Sequence, residues 1–516
     1  MADAVERAGA AVGGDAVTQA IDWLVIAPAL CLVGGALLAL LGDTFAPAAR
    51  RWLPTTCSIV AVAAGLAFTS ELAGSHRSAF CLASAGGSGG PPSCSWVVDN
   101  TTVVWWVIML AAVGLVVLMV QPAAASGEMP AGELHFLLLS SATGALVVAA
   151  SGDLITLLVA MEAVSLPAFA LVGLRRRDRR GAEAALKFFI ASVVATAFSL
   201  LGISMVYGAT GSVVASRVSG VLANGTAVTP VAGVGMMLTV VALGFKTAAV
   251  PFQVWVPDTY VGAPIPIAAY LSVVSKAAGL AGLVIVFVRF FPAYFDTWST
   301  VLAVAAALTM TVGNLAALRQ QHAVRLLAWS SVAQAGYLLV PLAAGGSRTD
   351  LGALQSYAAM YVIVNVCAFA VVLLAAGHGA VRVGDFAGMM RRHPWPAAAL
   401  GFALLCLAGL PPGVIGLVAK VVIFQSAVDG NLTWLAVVMA VNVAIGLVYY
   451  LRFLVTVIRP GGDEGTEFAG GARPSGAGSQ TNTGRPWAVE LVVGATLAAA
   501  VVLSVFPGPL FNGPFR

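Results

Sequence analysis

The chain has 516 residues, of which 60% are hydrophobic and 9% are charged, and its mean hydropathy is +0.95. This composition excludes a soluble domain with a single core and predicts an all-α polytopic membrane protein. The formal net charge of +4 is carried by arginines in the connections, so it indicates a topology and no nucleic-acid partner. The sequence contains no Gly-rich phosphate loop, nucleophile elbow or metal-ligand cluster, which excludes the common soluble enzyme classes.

Fourteen segments are apolar for long enough to cross a bilayer as helices. They are Ile21–Leu41, Leu53–Leu72, Thr102–Val120, Leu134–Ala150, Leu154–Leu174, Ala185–Tyr207, Val231–Phe252, Ile265–Phe290, Trp298–Leu318, Ala323–Ala344, Leu354–Ala376, Ala397–Val428, Leu432–Val457 and Trp487–Phe506. The polar segment 1–20 carries acids and no basic run before the first apolar stretch. We therefore expect the first span to be retained and not cleaved as a signal peptide.

The arginines predict the orientation of the chain. If the N-terminus lies outside, fifteen arginines fall in inside connections and their flanks, and six fall outside. The strongest inside anchor is the run RRRDRR at 175–180. Because inside connections carry the excess of basic residues, both termini are predicted to lie outside.

Six cysteines are present, and no pair has the C-x-x-C spacing of an iron–sulfur or zinc site. Four lie in predicted spans, where we expect them to pack. Cys81 and Cys94 share the Gly-, Ser- and Pro-rich connection Ala73–Thr101. That connection is predicted to face an oxidising compartment, so we predict a structural disulfide between them.

All four lysines, Lys187, Lys246, Lys276 and Lys420, fall inside predicted spans, whereas nearly all arginines fall in connections. A lysine near the bilayer centre costs about 2.5–3.5 kcal/mol on insertion scales, so an ordinary span avoids it. A buried lysine can release its proton near neutral pH, but arginine keeps its charge. The lysines therefore predict a site that binds and releases protons.

An acid accompanies the lysines. Glu162 lies near the middle of the fifth span, where it either pairs with a cation or lines a path, or is simply a packing acid. In the sixth span, Glu183 and Lys187 are four residues apart and share one helix face. Lys187 is predicted to be a partner or relay for Glu162; the alternative is that it only extends towards the inside interface.

Proline interrupts two of the lysine-bearing spans. Pro251 follows Lys246 in the seventh span, and Pro411 and Pro412 precede Lys420 in the twelfth. Each break removes a backbone donor and frees carbonyls beside the lysine. The recurrence five spans apart predicts two inverted five-helix repeats, 134–290 (helices 4–8) and 291–457 (helices 9–13). Helices 1–3 (21–133) precede them, and a flexible polar loop (458–486) and helix 14 with the C-terminus (487–516) follow.

Three stretches together resemble one family. FKTAAVPFQVWVPDTYVGAPIPIAAYLSVVSKAAG (245–279), RLLAWSSVAQAGYLLV (325–340) and LAGLPPGVIGLVAK (407–420) resemble motifs of the antiporter-like membrane subunits of respiratory complex I. The PD-x-Y-x-GAP linker, Lys276 in the eighth span and a chain that ends after the fourteenth span favour the subunit N branch over the L and M branches.

The resemblance implies a proton-translocating subunit of NADH:quinone oxidoreductase in the bacterial inner membrane. Its buried path falls on Glu162, Lys187, Lys246, Lys276 and Lys420. The resemblance further implies that this chain binds no cofactor, that flavin, iron–sulfur clusters and quinone belong to partner subunits, and that its neighbours are another antiporter-like subunit and small helical subunits.

Two positions depart from the family pattern. Gln253 and Gln334 stand where many members carry histidine, so a group that titrates near neutrality is lost at each. In the tenth span, Ser330, Ser331 and Gln334 are expected to bridge Lys276 and Lys420 together with water. Two other functions stay open at this point, a subunit of a multisubunit sodium/proton antiporter and an inert membrane scaffold.

Overall fold

A computed structural model describes residues 21–45, 52–82, 93–225, 229–460 and 487–511. The predicted polar segment 1–20 lies outside the described residues. So does the predicted flexible loop from residue 461 to 486, and residues 512–516 likewise.

The described chain is a bundle of long helices, numbered here by span. They are α1 Trp23–Phe45, α2 Leu53–Glu71, α3 Asn100–Ser126, α4 Ala131–Ala150, α5 Leu154–Val172, α6 Arg179–Thr210, α7 Pro230–Gly262, α8 Ile265–Phe290, α9 Phe295–Leu318, α10 Ala323–Ala344, α11 Arg348–Gly377, α12 with its two halves Pro394–Ala408 and Val414–Asp429, α13 Thr433–Ile458 and α14 Trp487–Val505. Short helices at Ala215–Ala223, Met389–Arg392 and Gly508–Phe511 lie in connections or at the end. Thirteen of the described helices are individually long and apolar enough to cross a membrane.

The one predicted span that is not among these thirteen is the twelfth, α12, which is broken into halves of 15 and 16 residues. Neither half would cross a bilayer by itself, because a span needs about 20 residues. The first half ends at Ala408, before Pro411 and Pro412, as expected from the donors that proline removes. Together the halves complete the predicted set of fourteen spans and confirm the helical fold class.

The seventh span is also interrupted, as predicted. Its segment Val241–Thr247 ends one residue after Lys246, and a second helical segment, Trp255–Gly262, begins beyond Pro251. Ala248 closes the first segment with φ of +63°, a left-handed conformation that costs a non-glycine residue about 1–2 kcal/mol. The break is therefore fixed by the surrounding packing as well as by the proline.

Aspartates begin three of the spans. The side chains of Asp99, Asp153 and Asp178 accept backbone N–H bonds at the starts of α3, α5 and α6. Such caps satisfy helix donors that have no partner within the helix. Capping therefore explains why these three aspartates lie at the ends of apolar spans.

A small hairpin, which the sequence reading did not predict, lies between α2 and α3. Strands β1, Arg77–Leu82, and β2, Ser93–Val98, pair antiparallel with Cys81 opposite Cys94, and a disulfide joins these two residues. Gly152 at the start of α5 donates a backbone hydrogen bond of 2.8 Å to Ser95. The hairpin thus packs on the end of the helix that carries Glu162.

The turn in α12 depends on close backbone packing. A Cβ atom at Gly416 would lie 1.8 Å from the carbonyl oxygen of Cys406, whereas a Cβ atom at Gly494 in α14 would meet nothing within 4 Å. The two halves of α12 can therefore approach each other only where the second half has no side chain.

We expect Gly416→Ala to destabilise the protein by about 2 kcal/mol or more, since overpacking against a backbone atom cannot be relieved by a rotamer change. The measurement is the amount of this chain in assembled complexes on a native gel. Gly494→Ala is the matched control and should accumulate normally. Equal accumulation of both variants would contradict the close packing.

Candidate functional site

Three of the four lysines are buried in the bundle. The exposed fraction is 3% for Lys246 on α7, 1% for Lys276 on α8 and 5% for Lys420 on α12. None of the three makes an ion pair with a carboxylate within 4.0 Å in the described part of the chain. Each ammonium group instead lies near aromatic rings or backbone carbonyls, so their surroundings decide their chemistry.

Lys420 is held by the break in α12. Its Nζ donates hydrogen bonds to the carbonyl oxygens of Leu407 (2.8 Å) and Ala408 (2.7 Å), the last two residues of the first half. Gly409, with φ of +81°, turns the chain away from the helix, and a Cβ atom there would lie 2.9 Å from Cδ of Lys420. The broken helix therefore provides both the acceptors and the space for the ammonium.

Lys276 is bonded across to α10. Its Nζ donates to the carbonyl oxygen of Ser331, and it lies 5.8 Å from the centroid of the Tyr361 ring. The hydroxyl of Tyr361 donates to Ser331 Oγ at 2.9 Å. The turn before Lys276, Leu271–Ser275, is π-helical, a local widening that often occurs at functional sites.

Polar contacts of α10 lie between these two lysines in two separate groups, one around Ser331 beside Lys276 and one around Ser330 and Gln334 near Lys420. Ser330 Oγ and the Tyr450 hydroxyl are hydrogen-bonded at 2.6 Å, and Gln334 Nε2 donates to the same hydroxyl at 3.1 Å. Gln334 Nε2 also contacts the Leu407 carbonyl oxygen at 3.4 Å, which is an acceptor for Lys420. Tyr357 donates to Gln334 Oε1 at 2.5 Å. The structure thus brings Ser330, Ser331 and Gln334 between Lys276 and Lys420.

Lys246 differs from the other two. Its Nζ is buried and has no hydrogen-bond partner among the described residues. It lies 5.2 Å from the ring centroid of Phe188 and 5.9 Å from that of Phe169, within the range of cation–π attraction. The carbonyl of Phe245 at the break in α7 already accepts from the backbone N–H of Ala248 and from Trp255 Nε1 at 3.0 Å. The expectation that freed carbonyls serve the lysine therefore fits α12 and does not describe α7.

Glu162 on α5 is half-buried and accepts a hydrogen bond of 2.6 Å from the hydroxyl of Thr196 on α6. It makes no ion pair in the described residues, yet it is the acid whose charge acts on Lys246. The structure thus brings Glu162 and Lys246 into electrostatic range without direct contact.

Lys187 does not contact Glu162. Its Nζ pairs with Glu183 at 2.7 Å, the neighbour four residues earlier, and approaches Asp258 at 3.8 Å; its side chain is 54% exposed. Asp258 also faces Arg325 of α10 at 3.5 Å. These charges form a cluster at the ends of α6, α7 and α10 that are predicted to lie inside.

His322 stands beside this charged cluster, just before α10. Burial, together with the nearby guanidinium groups of Arg325 and Arg180, lowers the pKa of His322 below its usual value. The ring is consequently neutral over most of the physiological pH range. It adds no positive charge to a cluster already rich in arginine.

Sequence reasoning missed four hydroxyl groups of the site, those of Thr196, Tyr357, Tyr361 and Tyr450. They come from α6, α11 and α13 and meet the predicted residues only in the folded bundle. The available signal was a tyrosine within an apolar span, because a buried tyrosine hydroxyl needs a partner. That signal does not identify the partner.

Comparison with known proteins places this arrangement in a family. The profile of the family described as NADH:quinone oxidoreductase/Mrp antiporter, TM, matches residues 151–446, which include Glu162 and the four lysines. A protein of Streptomyces griseus named NADH-quinone oxidoreductase subunit N 2 is 49% identical over 524 residues, covering 96% of this chain and 94% of that protein. The chain belongs to the subunit N family of NADH-quinone oxidoreductase. The predicted resemblance is confirmed.

Further relatives show the extent of the family likeness. Subunit N of Salinispora tropica is 40% identical over 455 residues and covers 86% of each chain. Respiratory complex I from Thermus thermophilus, solved with bound aureothin, contains a chain with 29% identity and a TM-score of 0.73, covering 94% of this chain and 99% of that one. As a member of this family, the chain is a multi-pass membrane subunit of complex I, whose other subunits are its partners.

The polar contacts around Gln334 should matter for the stability of this subunit. Gln334→Leu keeps the volume but leaves the buried Tyr357 and Tyr450 hydroxyls each short of a partner, which we expect to cost about 1–3 kcal/mol. The measurement is the fraction of the chain that stays in the complex after graded heating in mild detergent. Gln320→Leu is the control, because Gln320 bonds only to Ala316 of its own helix. Equal heat resistance of both variants would contradict the network.

Proposed function

We propose that this subunit moves protons across the bacterial inner membrane, coupled to NADH oxidation and quinone reduction elsewhere in complex I. The path runs through Glu162, Lys246, Lys276 and Lys420, with Lys187 at its inside end. The observation that carries the proposal is the state of the three buried lysines. Among the described residues they have no carboxylate partner, and Lys276 and Lys420 each donate to backbone carbonyls beside polar groups of α10. A buried cation without a counter-ion is costly, so it persists where its charge is used.

Movement of charge along this row follows from electrostatics. Protonated Lys246 is stabilised when Glu162 approaches it and destabilised when the carboxylate withdraws or a neighbouring lysine becomes charged. Each such change alters the affinity of the next lysine for a proton. Moving one proton against 100 mV requires about 2.3 kcal/mol, which is within reach of one buried ion pair that changes partner.

The middle of the path depends on hydroxyl and amide groups, because Gln334 stands where a titrating residue would otherwise connect Lys276 and Lys420. The contacts from Ser331 through Tyr361 and from Gln334 through Tyr450 support this step. Hydroxyl groups both donate and accept, so they can pass a proton together with bridging water.

Lys187 and its charged neighbours support an entry from the inside. Glu183, Lys187 and Asp258 are half-exposed, and Phe188 follows Lys187 directly and lies against Lys246. The charged cluster is therefore next in sequence to the ring that contacts the first buried lysine.

The neighbours in the complex follow from the surface of α5 and α6. Glu162 is half-buried there, and Glu183 and Lys187 lie at the surface beside exposed Leu186, Phe189 and Ile190. Charged groups at membrane depth are costly in lipid, so we propose that another antiporter-like subunit or small helical subunits cover this face. Flavin, iron–sulfur clusters and quinone belong to partner subunits in this proposal, and this chain binds no cofactor.

Glu162→Gln and Lys246→Met should each lower proton pumping at least several-fold, because each removes one charge of the switching pair. Pumping is measured as dye quenching in inside-out membrane vesicles on NADH addition, with NADH oxidation by an artificial acceptor as a check on the redox subunits. Glu71→Gln, an exposed acid at the end of α2, is the control and should pump normally.

Normal pumping by both relay variants in fully assembled complexes would support an inert scaffold and refute the path. A pumping rate that requires sodium in the buffer would instead support a sodium/proton antiporter. Repeating the assay with sodium replaced by potassium shows whether pumping requires sodium.

The predicted topology has its own test. With fifteen arginines in the inside connections and six outside, a tag placed at either terminus should be cleaved by protease added to intact spheroplasts. A tag inserted at Arg391–Arg392, between α11 and α12, should be protected until the membrane is opened. The reverse pattern would contradict the orientation.

A further inference from the structure

The helices α5 and α6 contact each other at two heights near Lys246, and only one of these heights includes the lysine. At one level the rings of Phe169 and Phe188 meet edge to face with centroids 4.8 Å apart, and both lie near the Lys246 ammonium. At the other level the Thr196 hydroxyl donates to Glu162 at 2.6 Å. Glu162 precedes Phe169 by seven residues, so the two levels are about 10 Å apart along the helix.

The ammonium and the carboxylate are therefore each engaged at a different level. Lys246 lies at the level of the rings with no hydrogen-bond partner among the described residues. Glu162 lies at the level of Thr196, and its charge reaches Lys246 only through space. A direct ion pair in a low-dielectric site would be the stronger contact for both groups, so something must hold them apart.

We propose that Thr196 is a latch, which competes with Lys246 for Glu162 and keeps the pair open while Phe169 and Phe188 hold the ammonium. When the Thr196 bond breaks, the carboxylate pairs with Lys246 and the pair is closed. The inference rests on the proposed function, since it concerns the same pair. It adds Thr196 as the group that sets the balance between the open and the closed pair.

Contacts of the described residues support this assignment. Hydrogen bonds from a hydroxyl to a carboxylate are charge-assisted and stronger than neutral ones, so one such bond can offset part of the attraction to the lysine. Lysine has a flexible stem with several rotatable bonds, which allows its ammonium to leave the rings and move towards the carboxylate. The observed open arrangement and the proposed closed one would make the pair a two-state element.

The geometry also explains why α6 carries the latch. Thr196 and Phe188 are eight residues apart on the same helix, and Phe188 packs in parallel against Trp255 with centroids 4.4 Å apart. Trp255 in turn bonds to the carbonyl of Phe245, next to Lys246. Because Phe188 and Thr196 lie on the same helix, a small shift of α6 moves both at once. Phe188 holds the Lys246 ammonium, and Thr196 holds the Glu162 carboxylate.

The test uses Thr196→Val, which keeps the shape and removes the hydroxyl, and Thr196→Ser, which keeps the hydroxyl. In inside-out vesicles of the full complex, Thr196→Val should lower the pumping rate about threefold or more, since loss of a charge-assisted bond favours the closed pair. Thr196→Ser should restore most of the rate. Rates are normalised to assembled complex on native gels, and Thr196→Ala provides a second variant without the hydroxyl.

The matched control is Thr143→Val in α4, because Thr143 bonds only to the Leu139 carbonyl of its own helix, at 2.9 Å. Its pumping rate should equal that of the unmodified complex. A second comparison places Thr196→Val in a Glu162→Gln background. If Thr196 acts through Glu162, the double variant should pump as slowly as Glu162→Gln alone.

Several results would overturn the latch. Normal pumping by Thr196→Val would show that the hydroxyl has no effect on the pair of Glu162 and Lys246. The same conclusion would follow if Thr196→Val lowered pumping by the same factor in the Glu162→Gln background as in the unmodified complex. Failure of both Thr196→Val and Thr196→Ala to assemble would assign Thr196 a purely structural role. In each case a defect in Glu162→Gln alone leaves the proposed proton path standing, whereas normal pumping by Glu162→Gln and Lys246→Met would refute the path itself.

Discussion

The burial of three ammonium groups among apolar helices is the constraint on which the rest of the structure depends. Each charge needs polar groups that a regular helix does not offer, because its backbone carbonyls are already bonded within the helix. The break in α12 solves this for Lys420, whose Nζ reaches the carbonyl oxygens of Leu407 and Ala408. Lys276 differs, because it donates to the Ser331 carbonyl of the unbroken α10; the irregular backbone beside it is the π-helical turn Leu271–Ser275. Irregular backbone in this bundle thus occurs beside the charges.

The two broken helices share a design and differ in what the break supplies. In α12 the carbonyls at the break receive the lysine, whereas in α7 Ala248 N–H and Trp255 Nε1 occupy the carbonyl of Phe245. Lys246 is left with aromatic rings and with the distant charge of Glu162. In the proposed path, a cation held so weakly would respond most to movement of its acid, so Lys246 is proposed as the switching lysine. Lys420, with two direct hydrogen bonds, would hold its proton more stably.

Family membership and the geometry contribute different parts of the functional argument. The match to subunit N proteins over nearly the whole chain identifies the complex to which this subunit belongs. The contacts around Glu162, Thr196 and Lys246 describe a pair in an open arrangement, and the contacts around Gln334 show which amide and hydroxyl groups lie on the side of Lys420 between the two lysines. The proposed path and its latch combine these two kinds of observation.

The sequence by itself determined the helical class, the fourteen spans and the two proline-linked breaks, because apolar length and missing backbone donors act locally along the chain. It also placed four lysines within the spans, of which three are buried and Lys187 is half-exposed. Only the tertiary structure decided their partners: Lys187 meets Glu183 and Asp258, and Glu162 meets Thr196. The hairpin that carries Cys81 and the tyrosines around Gln334 likewise emerged only from the fold. Such contacts join residues distant in the chain, and their distances depend on how the helices pack, which no local pattern encodes.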